Sequence, residues 1–241
     1  MPTQLDTDVP EKGLLARVFG VLVSPRATYA DIALRPRPWP AIILIVLLGS
    51  AATFVFLSTT VGQRAVLDQQ LTAMESMGIK VSDQMRDALV QRAGSTPYIS
   101  AVGGAVMVPL LIAVVAALLL GIFNAMLGGD ATFTQVFAVV AYSRFIGVLG
   151  TLFSFPLDYI KESMSSPASL AVFFPMIDDA TFLGRLLGSI DLFAVWGIVS
   201  LSIGLGVLYK KRTAPIAWSL LTFGAVVVIA FAAVRTVLSG A

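Results

Sequence analysis

Long apolar stretches without any charge dominate the chain and predict its architecture. Charge-free runs cover residues 38–63, 93–129, 131–143, 145–157, 192–209 and 213–234. About 20 consecutive apolar residues are enough for an α-helix to cross a bilayer. After joining the two runs around Arg144, we predict five spans, near residues 40–61, 98–127, 133–157, 189–209 and 214–234. The fold class predicted is therefore all-α, a polytopic membrane protein with its membrane domain over residues 40–241.

The segment before the first span contains a different pattern. Residues 1–12 are polar and are expected to form a disordered tail. Within residues 13–39, apolar residues recur at helical spacing from Leu14 to Leu22, which predicts a short cytoplasmic amphipathic helix. This helix lies either on the membrane face or packed under the bundle. A second helix is predicted to start at Pro25, because Pro is favoured at the first helical position.

Two polar segments separate the spans. The segment between the first and second spans has short apolar patterns on either side of Gly78, which predict an extramembrane helical hairpin with Ser82 as the N-cap of its second helix. Its balanced charges are typical of a solvated face. Residues 158–188 contain Pro167 and Pro175 and are predicted to be irregular.

Composition narrows the function more than it identifies it. Hydrophobic residues make up 57% of the 241 residues and charged ones 12%, against about 45–50% and about 25% in soluble domains. The net charge of +2 is small and its basic residues are scattered, which argues against a nucleic-acid partner. The chain has no cysteine and no histidine, so disulfides, thiol nucleophiles, the usual zinc sites and histidine acid/base chemistry are excluded. We predict no cofactor, no metal site and no catalytic residue.

Basic residues at the span ends predict the orientation. Arg35 and Arg37 precede the first span, and Lys210, Lys211 and Arg212 fall in the short turn between the last two. Positive residues favour the cytoplasmic side, so the N-terminus is predicted to be cytoplasmic and, with five spans, the C-terminus extracytoplasmic. The apolar patch that begins at Leu14 lacks a small-residue cleavage pattern, so the first span is expected to act as an uncleaved anchor.

Two groups of residues near the end of the chain are candidates for contacts. Lys210, Lys211 and Arg212 serve either as a topology anchor or as a contact for anionic lipid headgroups, at about 1 kcal/mol per cation. The small-residue pairs Ser200 with Gly204 and Ser202 with Gly206 are spaced four apart, which lets helices approach closely inside a membrane.

Arg144 is the one charged residue in the predicted third span. It lies about 11 residues, or roughly 16 Å, from the start of that span, which is near the bilayer midplane. An unpaired arginine there costs at least about 2.5–3.5 kcal/mol, and no acidic residue is expected at the same depth. Either the helix breaks near Ser143 and its free carbonyls receive the guanidinium, or Arg144 faces the bundle interior. The functional alternative is that Arg144 binds a lipid phosphate or a substrate anion.

Three segments together resemble a known family. They are "SPRATYADIALRPRPWPA", "LGGDATFTQVFAVVAYS" and "DLFAVWGIVSLSIGLGVLYKKRTAPIA", in which Asp191, Phe193, Trp196 and Gly204 match the family signature. In order and spacing they resemble the Yip family, the Ypt/Rab-interacting membrane proteins, and in particular its bacterial branch. The resemblance implies five spans, a cytoplasmic N-terminus and, for a bacterial member, the inner membrane. Eukaryotic relatives bind small GTPases and one another, whereas the bacterial branch offers no activity to transfer.

These observations favour a non-enzymatic membrane scaffold that contacts lipids and itself or other membrane proteins. The alternative is a small-solute or lipid transporter or channel with Arg144 near the midplane. Transporters of this kind often contain inverted repeats, which five unequal spans do not suggest. An intramembrane enzyme is the least favoured class, because the only acidic residue within the predicted spans is Asp191, close to a span end.

Overall fold

The computed structural model describes residues 12–76, 78–126, 128–161, 167–178 and 181–239. Within these ranges the regular structure is helical, and the only strand-like feature is an isolated antiparallel bridge between Ser169 and Asp191. The tail predicted to be disordered over residues 1–12 lies outside the described residues, apart from Lys12.

Two short helices precede the first long one. Helix α1 covers Leu14–Val23 and α2 covers Pro25–Leu34, and α3 covers Pro38–Leu57. Proline stands in the first turn of both α2 and α3, where its missing N–H costs no helical hydrogen bond. Helix α1 packs against α2 and α7. Its placement relative to the membrane stays a prediction.

The polar segment after α3 is also helical. Helix α4 covers Thr60–Ser76 and α5 covers Asp83–Arg92, separated by a turn in which Gly78 has a φ of 74°. Only glycine adopts such a backbone without a steric penalty. The predicted cap at Ser82 is present, since its hydroxyl accepts a hydrogen bond from Met85 N at 3.3 Å. The location of this hairpin outside the membrane stays a prediction.

Five further α-helices follow in the described residues, namely α6 (Thr96–Leu120), α7 (Phe133–Lys161), α8 (Phe182–Ser189), α9 (Leu192–Leu208) and α10 (Thr213–Ser239). A π-helical turn over Gly121–Met126 extends α6, and a short 3-10 turn over Leu170–Phe173 precedes α8. Helix α8 falls inside the segment predicted to be irregular, so that prediction is wrong for its last turns. The Thr181 hydroxyl caps α8 by accepting a hydrogen bond from Gly184 N at 3.0 Å.

Four helical stretches are long and apolar enough to cross a bilayer. They are Pro38–Leu57, Asp83–Ala125, Phe133–Ile160 and Thr213–Ala230. Helix α9 is equally apolar but has 17 residues, about 25 Å of helix, which is shorter than the hydrocarbon core of a typical bilayer at about 30 Å. The described chain is thus an α-helical bundle with four candidate spans and two shorter apolar helices, α1 and α9.

Helix α7 is the centre of the bundle. It packs against α3, α6 and α9, and 67% of its most apolar window is buried, against 6% for α10 at the periphery. Its first half supplies a continuous buried stretch from Val136 to Ser143. Side chains in this stretch therefore have neighbours on most sides.

Aromatic contacts at both ends of α3 and α7 show how the two helices are aligned along their axes. Trp39 meets Phe137 edge-on at 5.9 Å between ring centroids, and Phe56 stacks on Phe155 at 4.7 Å. The two helices therefore run parallel. Arg144 lies seven residues beyond Phe137, about 10 Å along the axis, so it sits near the middle of the stretch that α3 covers.

The predicted break near Ser143 is wrong, because α7 continues through it without interruption. The Ser143 hydroxyl donates to Val140 O at 2.8 Å, within its own helical turn, and so leaves the ladder intact. The proline inside α7 is Pro156, near the far end. No helix break therefore frees backbone carbonyls to receive the Arg144 guanidinium. The Arg144 side chain instead lies exposed on an unbroken helix.

Candidate functional site

Arg144 is an exposed side chain on the most buried helix of the bundle. Its neighbours Tyr142, Ser143, Phe145 and Ile146 are all buried, while Arg144 itself is exposed. Arg144 lines open space together with residues of α3, α6 and α9, so its side chain lies in a gap between these helices. Arg144 marks that gap.

Two neighbouring cavities meet at Arg144. One, of about 310 Å³, lies between α3, α6 and α7, and the other, of about 290 Å³, lies between α6, α7 and α9. Arg144 and Gly147 line both. We call the two cavities together the Arg144 groove. Apart from Arg144, its lining is apolar or small and uncharged.

Three hydroxyl groups along the groove, those of Ser50, Ser143 and Thr151, already donate to backbone carbonyls. Ser50 Oγ donates to Ala101 O at 3.2 Å, and Thr151 Oγ1 donates to Gly147 O at 3.2 Å. Within the part of the chain that the structure describes, Arg144 makes no hydrogen bond and no ion pair. The guanidinium, with five N–H donors, therefore has its hydrogen-bonding capacity free.

Three glycines line the groove at positions where packing inside the protein would also leave room for a larger side chain. A Cβ added at Gly49 or Gly147 would meet no atom within 4 Å, and one at Gly104 would meet only Ser50 Oγ at 3.9 Å. These positions therefore present bare backbone to open space. In membranes, such surfaces let another helix approach closely.

The two small-residue pairs predicted on α9, Ser200 with Gly204 and Ser202 with Gly206, do not line the Arg144 groove. Ser200 and Ser202 are buried, and Ser200 Oγ is 2.8 Å from the Tyr29 hydroxyl on α2. A Cβ at Gly204 would lie 2.5 Å from Val139 Cγ1, and one at Gly206 would lie 2.9 Å from Thr213 Oγ1. Burial raises the pKa of the Tyr29 phenol, and its hydrogen bond to Ser200 opposes that rise to a smaller extent.

The basic turn of residues 210–212 joins α9 to α10. Its three side chains are exposed, and Lys210 adopts a left-handed backbone with a φ of 52°. Lys211 N donates to Gly206 O at 2.9 Å, which closes the end of α9. Lys210, Lys211 and Arg212 line neither cavity of the Arg144 groove, so the structure does not bring the predicted cations together.

Sequence reasoning missed a second arginine, Arg17, which is 2% exposed on α1. Its Nε lies 2.8 Å from Asp31 Oδ2 and its Nη1 donates to Arg35 O at 3.0 Å. These contacts join α1 to α2. The interruption of an apolar patch by Arg17 was the available signal, but the partner lies 14 residues away and only tertiary structure reveals it.

The described residues contain no group of three or more acidic side chains placed to hold a metal ion. The fold and the groove define an α-helical integral membrane protein that contacts lipid. The Yip1 domain matches residues 19–234, and the chain belongs to this family. No curated protein and no solved structure matches the chain.

Proposed function

We propose that this Yip1-domain protein is a non-enzymatic membrane scaffold that holds a partner protein in the Arg144 groove. The partner supplies a membrane-embedded helix that carries a carboxylate. One observation carries the proposal: Arg144 is exposed at the middle of the bundle with no hydrogen bond or ion pair to any described residue.

The energetic argument concerns the free guanidinium. An unpaired arginine at the bilayer centre costs at least about 2.5–3.5 kcal/mol. A carboxylate on a neighbouring helix removes that cost, because arginine and carboxylate form paired, charge-assisted hydrogen bonds in a low-dielectric environment. Among partner helices, only one with an acidic side chain at the depth of Arg144 relieves this cost. The groove should therefore select such partners over others.

The shape of the groove also supports a helix as the occupant. Gly49, Gly104 and Gly147 leave backbone accessible, which favours close helix approach over loose lipid contact. A second copy of the chain is a poorer fit. A two-fold dimer with its axis at Arg144 would bring two guanidinium groups together without a counter-charge, which like-charge repulsion opposes.

The proposal includes a placement in the membrane. Helix α9 serves as the fourth of five spans, α4 and α5 lie outside the membrane, the N-terminus is cytoplasmic and the C-terminus extracytoplasmic, in a bacterial inner membrane. The turn of Lys210, Lys211 and Arg212 then lies on the cytoplasmic side as a topology anchor in contact with anionic headgroups. Ser200, Gly204, Ser202 and Gly206 serve the close packing of α9.

Cysteine labelling tests this placement directly, because the natural chain has no cysteine to remove. A single cysteine at Ser82 or at Ser239 is expected to react with a membrane-impermeant reagent applied from outside the cell. A single cysteine at Lys211 is expected to react when the reagent is applied from the inside. Equal reactivity of Lys211→Cys and Ser82→Cys from the same side would overturn the five-span arrangement.

Photo-crosslinking from the groove tests the function. A photoreactive residue at Gly147, in native membranes, is expected to give an adduct with a membrane segment that contains Asp or Glu. The same residue at Val226, exposed on α10, is the control and is expected to label lipid. Arg144→Leu abolishes the protein adduct, whereas Arg144→Lys retains part of it.

The opposing outcomes are equally clear. Lipid adducts alone from Gly147, or a protein adduct that survives Arg144→Leu, would contradict the scaffold. Solute flux in proteoliposomes of the purified chain, lost in Arg144→Leu, would instead support the transporter alternative.

A further inference from the structure

The part of the Arg144 groove between α3, α6 and α7 is lined by hydroxyl groups as well as by Arg144. Ser50 and Thr53 contribute from α3, Ser100 from α6 and Thr151 from α7. No acidic side chain lines this space or its neighbour between α6, α7 and α9. We call the part between α3, α6 and α7 the hydroxyl cavity. Its side chains offer hydrogen-bond donors and one positive charge, but no negative charge.

Each wall of the hydroxyl cavity supplies one side chain whose donors are unused. Thr53 on α3, Ser100 on α6 and Arg144 on α7 make no hydrogen bond within the part of the chain that the structure describes. A serine or threonine in a helix can satisfy its hydroxyl on a carbonyl three or four residues earlier, as Thr151 does. Thr53 and Ser100 are half-buried and do not use this option. Their free donors, together with the guanidinium, favour an acceptor inside the cavity.

The hydroxyl cavity runs from the middle of the bundle toward one end of it. Thr53 lies four residues before the end of α3 and Ser100 four residues after the start of α6, about 6 Å of helix in each case. Phe54 and Tyr98 meet edge-on at 5.3 Å between ring centroids, which places these two helix ends side by side. The cavity therefore reaches from the depth of Arg144 to within about one turn of the helix ends.

The hydroxyl cavity is large enough for water and a small ion. Its volume is about 310 Å³, whereas one water molecule occupies about 30 Å³ in the liquid. Polar cavities of this size hold water, while apolar ones stay dry. Water that reaches an arginine inside a membrane lowers the cost of its charge. A hydrated guanidinium without a carboxylate partner then attracts an anion, because charge-assisted hydrogen bonds are the strong ones.

We propose that the hydroxyl cavity is a hydrated binding site for a small monovalent inorganic anion, held by the Arg144 guanidinium. Thr53 and Ser100 donate to the anion or to the waters around it, and the anion supplies the negative charge that the lining lacks. A divalent anion is a poorer fit, because a single guanidinium leaves one of its charges uncompensated in a low-dielectric site. This site goes beyond the proposed function and shares with it only the unpaired guanidinium, since a partner's carboxylate would replace the anion.

Charge-selective cysteine labelling of the purified full chain in lipid nanodiscs is the test. Gly49→Cys places a single thiol on the cavity wall, where an added Cβ meets no atom within 4 Å. Relative to a free thiol in solution, an anionic methanethiosulfonate reagent is expected to react at least about tenfold faster than a cationic one of similar size. One unit charge at about 10 Å and an effective dielectric constant of about 20 accounts for that factor. Arg144→Gln is expected to abolish this preference, and Arg144→Lys to retain it.

Gly103→Cys is the matched control. A Cβ there also meets no atom within 4 Å, but Gly103 lines neither cavity of the Arg144 groove. Its thiol is expected to react slowly and without preference for either charge. Equal relative rates of the two reagents at Gly49→Cys, or a preference that survives Arg144→Gln, would overturn the proposal.

Chloride is the probe for the bound anion. It is expected to slow the anionic reagent at Gly49→Cys more than the bulkier gluconate does at the same ionic strength, because only the smaller anion fits beside Arg144 in the cavity. Equal slowing by the two salts would contradict a bound small anion. The purified chain holds no partner, so this labelling and the crosslink from Gly147 succeed or fail separately.

Discussion

Two arginines of this protein, Arg17 and Arg144, occupy opposite environments. Arg17 is 2% exposed and holds a carboxylate and a carbonyl of α2, whereas Arg144 is exposed on a buried helix and holds nothing in the described chain. Around Arg17, most polar groups are used to join α1 and α2 to the bundle. Around Arg144, glycine and open space replace partners. The first region is built for the protein's own fold, and the second leaves its interactions to another molecule.

The largest expected effect is that of Arg17→Leu. It leaves Asp31, mostly buried, without its ion pair, and breaking a buried pair from one side costs about 3–5 kcal/mol. Thermal unfolding in detergent micelles is the measurement. Arg26→Leu, on the exposed side of α2, is the control and is expected to change the free energy of unfolding by less than about 0.5 kcal/mol. Equal melting temperatures of the Arg17→Leu and Arg26→Leu variants would contradict a structural role for Arg17.

Gly204→Ala is expected to follow. Its Cβ would lie 2.5 Å from Val139 Cγ1 and 2.9 Å from the Tyr29 ring, so the packing of α2, α7 and α9 must shift at a cost of about 1–3 kcal/mol. Gly103→Ala is the control, since its Cβ meets nothing within 4 Å. That change is expected to be neutral or slightly stabilising in the same unfolding assay. A destabilised Gly103→Ala with an unaffected Gly204→Ala would reverse this ranking.

A smaller effect is expected from Ser200→Ala. The Tyr29 hydroxyl would lose the partner at 2.8 Å and remain buried, which costs about 1–2 kcal/mol. Adding Tyr29→Phe is expected to recover part of this loss, because both polar groups are then absent. Ser219→Ala, which removes only an exposed hydroxyl bonded within its own helix, is the control. Strict additivity of the two changes would show that the hydrogen bond contributes nothing.

Arg144→Leu is expected to have the smallest effect on stability. With no described contact to lose, the free energy of unfolding in micelles should change by less than about 0.5 kcal/mol. Insertion into a membrane should improve, because a central arginine is removed. Measured stability and glycerol-gradient behaviour like those of the natural chain, combined with loss of the crosslinked partner, would sharpen the contrast with Arg17. If Arg144→Leu destabilised the protein as much as Arg17→Leu does, the contrast between the two arginines would be contradicted.

Much of the helical architecture was accessible from hydropathy. Stretches of apolar residues in a chain of 57% hydrophobic residues predicted the long helices, because a helix satisfies its backbone groups within one continuous segment in a bilayer. Caps such as Ser82 were also readable, since their spacing is local. The continuity of α7 through Ser143 was not predicted, although the Ser143 hydroxyl bonds within its own turn and α7 contains no proline until Pro156.

Long-range pairs account for what the sequence could not reveal. Arg17 with Asp31 and Tyr29 with Ser200 are joined by the way α1 and α2 fold onto the bundle, not by any periodicity. The position of Arg144 was predicted, but its groove depends on how α3, α6 and α9 surround α7.

The short helix α9 has a consequence for the lipid around it. Its 17 residues give about 25 Å of helix, while neighbouring α7, with 29 residues, gives about 43 Å. In the placement proposed above, with α9 as a span, this difference creates hydrophobic mismatch on one side of the bundle, which a bilayer relieves by thinning locally. We therefore expect the bilayer to be thinner beside α9 than beside α7.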